Sequence, residues 1–470
     1  MIPSFSGPKG MPILGSVPAM NKNRLPFLLQ TRAQYGDVAH LRLLNRDVYL
    51  VSRPEWIHQI LVEQADNFHK GITLKQIGKY TLGEGLLTSE GDFHKQQRKQ
   101  MQPAFHHTRI AAYAQSMVDL TERMLTQINW HDGAVVDIDH EMMVLTQSIV
   151  AKTLFDADIS AQANQIGDVI SEGIRVSSAN VFKDMLIGWL PTPYRRKRME
   201  GTAKLDAVIY EFMEEWRRQG GQDKGDLLSM LLLARDVDGK PMPDKQIRDE
   251  ALTLFIAGHE TTANALAWTW YLLAQHLEVT NNLRAELNRV LGGRAPSLKD
   301  LPQLPYNEQV IKEVLRLYPP AWLITRLSVK PVQIGGYQFP AGAIFMVSPY
   351  VMHHEAKYFS DPEAFKPERW TQEFEKQLPR FAYFPFGGGP RICIGNSFAM
   401  MEAQLILATM AQRYDLTLLN NAPVQSEPLI TLRPKTPIQM RLTAVGNTAP
   451  AIRQEADHPD LAASVPAVVQ

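Results

Sequence analysis

From about Pro54 to Ser328 apolar residues recur every three or four positions, the spacing of helices that bury one face. Loops interrupt that pattern at Gly83-Glu84-Gly85, Trp189 to Pro193, Gln219 to Gly225 and Asp236 to Pro243. Outside this region the period changes. Val38 to Leu43 and Val48 to Val51, separated by Asn45-Arg46-Asp47, predict a hairpin. Strands are predicted again at Val332 to Phe339, turning at Gly335-Gly336, and at Ile344 to Val347. After Gly395 and Asn396 the pattern turns helical, with Phe398, Met401 and Leu405 on one face. Late strands are predicted near Leu416, at Leu429 to Leu432 and at Ile438 to Leu442. The opening stretch to Pro26, rich in Gly and Pro, predicts an extended surface arm. Beyond Gly446 periodicity stops, which predicts a disordered tail.

A chain of 470 residues with 45% hydrophobic content can bury a large core, and its length alone suits two or three domains. Lys plus Arg and Asp plus Glu number 49 each, which gives no support to nucleic-acid binding. No apolar run approaches the ~20 residues of a spanning helix. The start, Met1-Ile2-Pro3-Ser4-Phe5, lacks the charge and apolar stretch of a signal peptide. A chain without a transmembrane anchor, in the reducing cytoplasm, is the expectation. The histidine pairs His106-His107 and His353-His354 point their side chains apart, and no His-Glu-x-x-His pattern occurs, so the histidines read as structural.

One cysteine occurs in the whole chain, in Phe386-Gly387-Gly388-Gly389-Pro390-Arg391-Ile392-Cys393-Ile394-Gly395. A lone cysteine excludes an intrachain disulfide and any multi-cysteine metal site. Out of context it would read as a small buried hydrophobe. Here three glycines and a proline leave room for a large flat ligand to approach the backbone. Arg391 adds positive charge, and Cys393 should lie just before a helix N-terminus, whose dipole favours the thiolate. A single thiolate in such a loop suits an axial ligand to haem iron. This segment resembles the cytochrome P450 family of haem-thiolate monooxygenases. Their signature, Phe-x-x-Gly-x-Arg-x-Cys-x-Gly, is matched at Phe386, Gly389, Arg391, Cys393 and Gly395. The resemblance runs from about Gly7 to about Thr443. It implies a mainly α fold with a smaller β-rich lobe, and haem b held between a long distal helix and the Cys393 loop. It also implies one domain over residues 1–445, with 446–470 as a tail.

Ala257-Gly258-His259-Glu260-Thr261-Thr262 lies in a long helical stretch starting near Pro243. Small Ala257 and Gly258 would let the helix cross a haem face. An acid followed by a hydroxyl suits the proton delivery that dioxygen activation requires. Thr261 can also bond a carbonyl one turn back and open the helix to water. By resemblance Thr261 is the oxygen-binding threonine and Glu260 the acid of the relay. Glu313 and Arg316, three apart on one helical face, would ordinarily be a solvated pair. The resemblance implies instead that they join Arg369 in a buried structural network behind the haem. Haem carries two carboxylates, and guanidinium groups suit carboxylates. Arg391, Arg98 and Arg326 match the family's propionate arginines. His94 stands where most members have Trp, and its imidazole could also donate a hydrogen bond.

Matching segments put Leu86, Leu87, Leu254, Ala257, Ala321, Leu323 and Ile430 around an apolar distal chamber, suited to a fatty acid, terpenoid or steroid. The implied reaction inserts one oxygen atom from O2 into such a molecule by hydroxylation or epoxidation. The alternatives are a peroxide-driven peroxygenase, a haem-thiolate isomerase or, last, non-enzymatic haem binding. Peroxide-driven relatives commonly replace the acid–threonine pair. With no reductase segment in view past residue 445, the expected electron source is a ferredoxin or flavodoxin with an NAD(P)H-dependent reductase. Lys95 and Lys99 would help attract it.

Overall fold

The computed structural model describes residues 5–159, 163, 166–173, 193–235, 239–420 and 422–446. The predicted tail from residue 447 onward, the loop at Trp189 to Thr192 and residues 236–238 lie outside them. The longer helices are α1 (Arg24–Tyr35), α2 (Gly91–Met101), α3 (His107–Leu125), α4 (Ile138–Phe155) and α5 (Pro193–Arg218). They continue with α6 (Asp244–Gln275), α7 (Leu277–Leu291), α8 (Pro305–Leu317) and α9 (Asn396–Ala411).

The apolar pattern decides which of these sit inside. In α8 the buried side chains Val310, Ile311, Val314 and Leu317 form one stripe, and Pro305 starts the helix, where no N–H is needed. From Ala251 to Leu273 nearly every side chain of α6 is buried, as befits a helix running through the core. A Cβ on Gly258 would meet Val150 Cγ2 at 3.0 Å, so that glycine sets the close packing of α6 on α4. Its smallness therefore serves the helix–helix contact as well as the cavity beside it. In α9, residues from Phe398 to Ala411 are buried almost all round.

The strands are β1 (Val38–Leu43), β2 (Arg46–Val51), β3 (Phe68–Lys70), β4 (Val135–Asp137), β5 (Ile324–Ser328) and β6 (Val332–Ile334). They continue with β7 (Tyr337–Phe339), β8 (Ile344–Val347), β9 (Tyr414–Leu418), β10 (Ser426–Pro428), β11 (Leu432–Pro434) and β12 (Gln439–Ala444). The main sheet has the order β1-β2-β8-β5-β3. Tyr49, Val51, Phe345 and Val347 pack into one apolar cluster, while Val48, Leu50, Ile344 and Met346 pack into another. The period-two alternation thus buries both faces of its central strands. The β3–β5 register sets Lys70 opposite Arg326 at one edge.

Three predicted elements differ. The second hairpin strand begins at Arg46 rather than Val48, because the turn closes on Leu44 and Asn45 and pairs Leu43 with Arg46. The opening arm contains a short helix, Val17–Lys22, and runs into α1 at Arg24, since Pro18 and Pro26 sit in first turns where proline is tolerated. Leu429 to Thr431 form the turn between β10 and β11 instead of a strand. Among the described residues no helix is long and apolar enough to cross a membrane.

Candidate functional site

The chain encloses a cavity of about 830 Å³ bounded by α6, the Cys393 loop, the start of α9 and the β10–β11 turn. Two glycines shape the loop by protein contacts. A Cβ on Gly388 would fall 2.4 Å from the Phe381 ring. One on Gly389, at φ +71°, would fall 1.9 Å from the Leu61 carbonyl oxygen. The loop closes when the Cys393 N–H donates to the Phe386 carbonyl at 3.0 Å, and the Arg98 guanidinium donates to the Ile392 carbonyl at 2.8 Å.

Cys393 and Phe386 both line the cavity, and the thiol is exposed because the cavity opens onto it. Protein nevertheless surrounds it closely. Burial pushes the thiol up, against the Gly395 N–H and the Arg98 charge. Packing thus works against the thiolate that the helix end was expected to favour.

Six side chains gather beside this loop. Arg391 lines the cavity, pairs with Glu90 and keeps its Nη1 buried without a partner. Arg326 lines it too, and burial with the nearby Arg391 pushes its guanidinium down to about 10. Lys70 is the residue that sequence reasoning missed. It lines the cavity between those arginines, and burial, then Arg391, pushes its ammonium down to about 7. His94 is buried, and burial followed by the charges of Lys70, Arg391 and Arg98 pushes it down to about 4, so its ring is neutral. Arg98 is engaged by the loop carbonyl, and its charge acts on His94. Of this group, Arg391, Arg326 and Lys70 line the cavity against two carboxylates, Glu90 and Glu250, and one guanidinium nitrogen has no acceptor. Burying that excess without an anion is costly. A flat ligand with two carboxylates fits it, and haem is such a ligand.

On α6, Ala257, Glu260, Thr261 and Thr262 line the same cavity. The Thr261 hydroxyl donates to the Ala257 carbonyl at 3.0 Å, yet the helix runs unbroken from Asp244 to Gln275. Glu260 is held more tightly than the sequence suggested. Its carboxylate accepts from Arg433 Nε at 2.5 Å, Thr431 Oγ1 at 2.7 Å and Asn264 Nδ2 at 3.0 Å, while Arg433 Nη2 takes the other oxygen. Burial would raise its pKa, but the Arg433 charge and these bonds outweigh that and hold it below the usual range. Nearby Glu402 is the reverse case. It is fully buried, and burial pushes its carboxyl well up against a hydrogen bond from Thr262.

Leu87, Leu254, Ala257, Ala321, Leu323 and Ile430 line the cavity. Leu86 does not. Its peptide is held by Glu250 and Lys70, and its side chain is buried in the helical core. Glu313, Arg316 and Arg369 do come together. Glu313 bridges Arg316 (2.9 and 3.0 Å), Arg369 (2.9 Å) and the Trp370 indole (2.8 Å). Arg316 also donates to the His353 carbonyl at 2.9 Å, and His353 Nε2 accepts the Phe384 N–H at 3.0 Å. The network therefore reaches the backbone two residues before Phe386. Lys95 is already compensated by Asp66 at 3.2 Å and Asp92 at 3.5 Å. Among the described residues no His, Cys, Asp and Glu cluster has the makings of another metal site.

The family model described as Cytochrome P450 matches residues 5–442. Cyclooctatin synthase of Streptomyces melanosporofaciens is 37% identical over 430 residues, spanning 90% of this chain and 92% of that one. Cyclooctat-9-en-7-ol 5-monooxygenase of the same organism is 37% identical over 417 residues, spanning 87% and 89%. Pentalenene oxygenase of Streptomyces avermitilis is 32% identical over 443 residues, spanning 93% and 97%. The solved structure of cyanobacterial CYP120A1 with retinoic acid bound superposes with a TM-score of 0.83 at 27% identity, covering 95% of this chain and all of that one.

Proposed function

Since the chain belongs to the cytochrome P450 family, we propose that it hydroxylates or epoxidises a terpenoid alkene or alcohol, with Cys393 as the axial ligand of haem b. Members are haem-dependent monooxygenases, and this one inserts one oxygen atom from O2 into a hydrophobic substrate with electrons from a redox partner. The names pentalenene and cyclooctat-9-en-7-ol denote an alkene and an unsaturated alcohol. They favour a terpenoid over the fatty acids and steroids that an apolar chamber also suits. The observation that carries the reading is that Cys393 and Thr261 face one cavity walled mostly by apolar side chains.

Haem supplies the iron chemistry that activates O2. The chain's own groups do the rest. Cys393 Sγ would hold the iron as a thiolate, while Arg391, Arg326 and Arg98 would neutralise the cofactor's carboxylates and the neutral His94 ring would donate a hydrogen bond. Thr261 Oγ presents a proton at the cavity face, and Glu260 relays a replacement that its carboxylate must first take up from solvent water. Leu87, Leu254, Leu323 and Ile430 keep water from the reacting face. The cytoplasm is the compartment we assign, supported by one cysteine in 470 residues. A ferredoxin or flavodoxin with an NAD(P)H-dependent reductase is the electron source we assign.

Two measurements test this. The reduced carbon monoxide complex should show the strongly red-shifted band of thiolate-ligated haem, and Cys393→His should move it to the histidine-ligated position. An unchanged band in the variant overturns the ligand assignment. Sesquiterpene and diterpene alkenes and alcohols should shift the haem spectrum of the resting protein and be turned over to mono-oxygenated products. Shifts and products with fatty acids alone would overturn the terpenoid reading.

A further inference from the structure

The Leu86 peptide is held at both ends by buried titratable side chains from different elements. Its N–H donates to Glu250 Oε2 on α6 at 2.8 Å. Its carbonyl accepts from Lys70 Nζ on β3 at 2.8 Å, and the same ammonium donates to the Ser89 carbonyl at 2.8 Å. The rest of the loop is stapled as firmly: the Glu84 N–H donates to Asp249 at 3.0 Å, and Gln97 donates to the Glu84 carbonyl at 2.8 Å. Leu87, in the middle of this loop, lines the cavity.

Lys70 has three N–H donors, of which Leu86 and Ser89 take two. It also lines the cavity, across the strand pair from Arg326 and within the field of Arg391. In that surrounding its ammonium is held down to about 7, so near neutral pH the third N–H, the one that Leu86 and Ser89 leave free, is only partly present. An anion in the cavity would restore the full charge.

We propose that Lys70 couples the cofactor to the substrate chamber, giving one N–H to a haem carboxylate and two to the loop that carries Leu87. Seating haem then fixes the chamber wall, and Lys70 acts as a positioning residue. The inference rests on the haem reading of the same cavity.

Hydrogen exchange over residues 83–90, followed in the haem-free and haem-loaded protein, tests it. Haem should raise protection of this loop roughly tenfold or more in the wild type. Lys70→Met, read at saturating haem, should lose that rise, and Lys70→Arg should recover part of it. Wild-type protein loaded with haem dimethyl ester, whose carboxylates are blocked, should also lack the rise, and this needs no folded variant. An equal rise with the ester and with haem overturns the coupling. So does an equal rise in Lys70→Met. Failure of the haem reading looks different, because the wild type would then take up no haem at all.

Discussion

At the residue scale the most consequential contact is one that no local motif announces. Glu260 sits in an acid–threonine pair that is plain in the sequence, but its carboxylate is clamped by Arg433, 173 residues later. Thr431 ends the β10–β11 turn and Arg433 lies in β11, and both reach the Glu260 carboxylate. Which element the two meet depends on where the hairpin packs, and only the fold supplies that. Removing one partner of a buried pair leaves an uncompensated charge, which costs about 3–5 kcal/mol. Arg433→Met should therefore lower the thermal midpoint sharply, and Glu260→Gln added to it should recover most of the loss. Equal midpoints for single and double variants would show that the pair is not coupled. Because the Glu260 pKa is depressed on folding, its stabilisation is present above the ordinary carboxylate range and is lost as pH falls through the folded value.

At the element scale, α6 was legible because its length and its small residues at Ala257 and Gly258 stand out. Its unbroken course was not, since Thr261 bonds the Ala257 carbonyl without displacing the helical ladder. The hydroxyl remains on the cavity side, where it can hold a proton for the reacting oxygen. Thr261→Ala should leave haem content and substrate-induced spectral shifts nearly intact while diverting electrons to hydrogen peroxide. General acid–base delivery is worth ~10²–10⁴ in rate, so product formed per electron should drop clearly. Coupling equal to wild type would move the proton role to other groups, of which Glu402, whose carboxyl burial pushes well up, is the nearest candidate in character. The chamber wall was legible only in part for a similar reason. Leu86 and Leu87 are equivalent by composition, and it takes Glu250 and Lys70, distant in sequence, to turn Leu87 to the cavity and Leu86 to the core. Leu429 to Leu432 likewise reads as apolar strand, yet Leu429 and Ile430 serve as turn residues that line the cavity.

At the scale of the whole molecule, the remaining question is where electrons enter. The described residues carry the cavity and its cations, and a redox partner must approach the face nearest the Cys393 loop. The network of Glu313, Arg316 and Arg369 makes the backbone before that loop rigid, so a partner meets a preformed surface. Of the two lysines flanking Arg98, Lys95 is neutralised by Asp66 and Asp92, whereas Lys99 is exposed and has no ion pair among the described residues. An acidic ferredoxin or flavodoxin would therefore gain attraction from Lys99 and little from Lys95. Lys99→Glu should slow reduction of the haem by such a partner, and Lys95→Glu should slow it less. Raising the salt from 0.01 M to about 0.15 M shortens the screening length from about 30 Å to about 8 Å, so both association and the difference between variants should shrink. Stopped-flow reduction under carbon monoxide measures all three, and haem content should stay constant because Arg98 keeps its bond to the Ile392 carbonyl. Identical, salt-independent rates in wild type and Lys99→Glu would mean that the partner docks elsewhere.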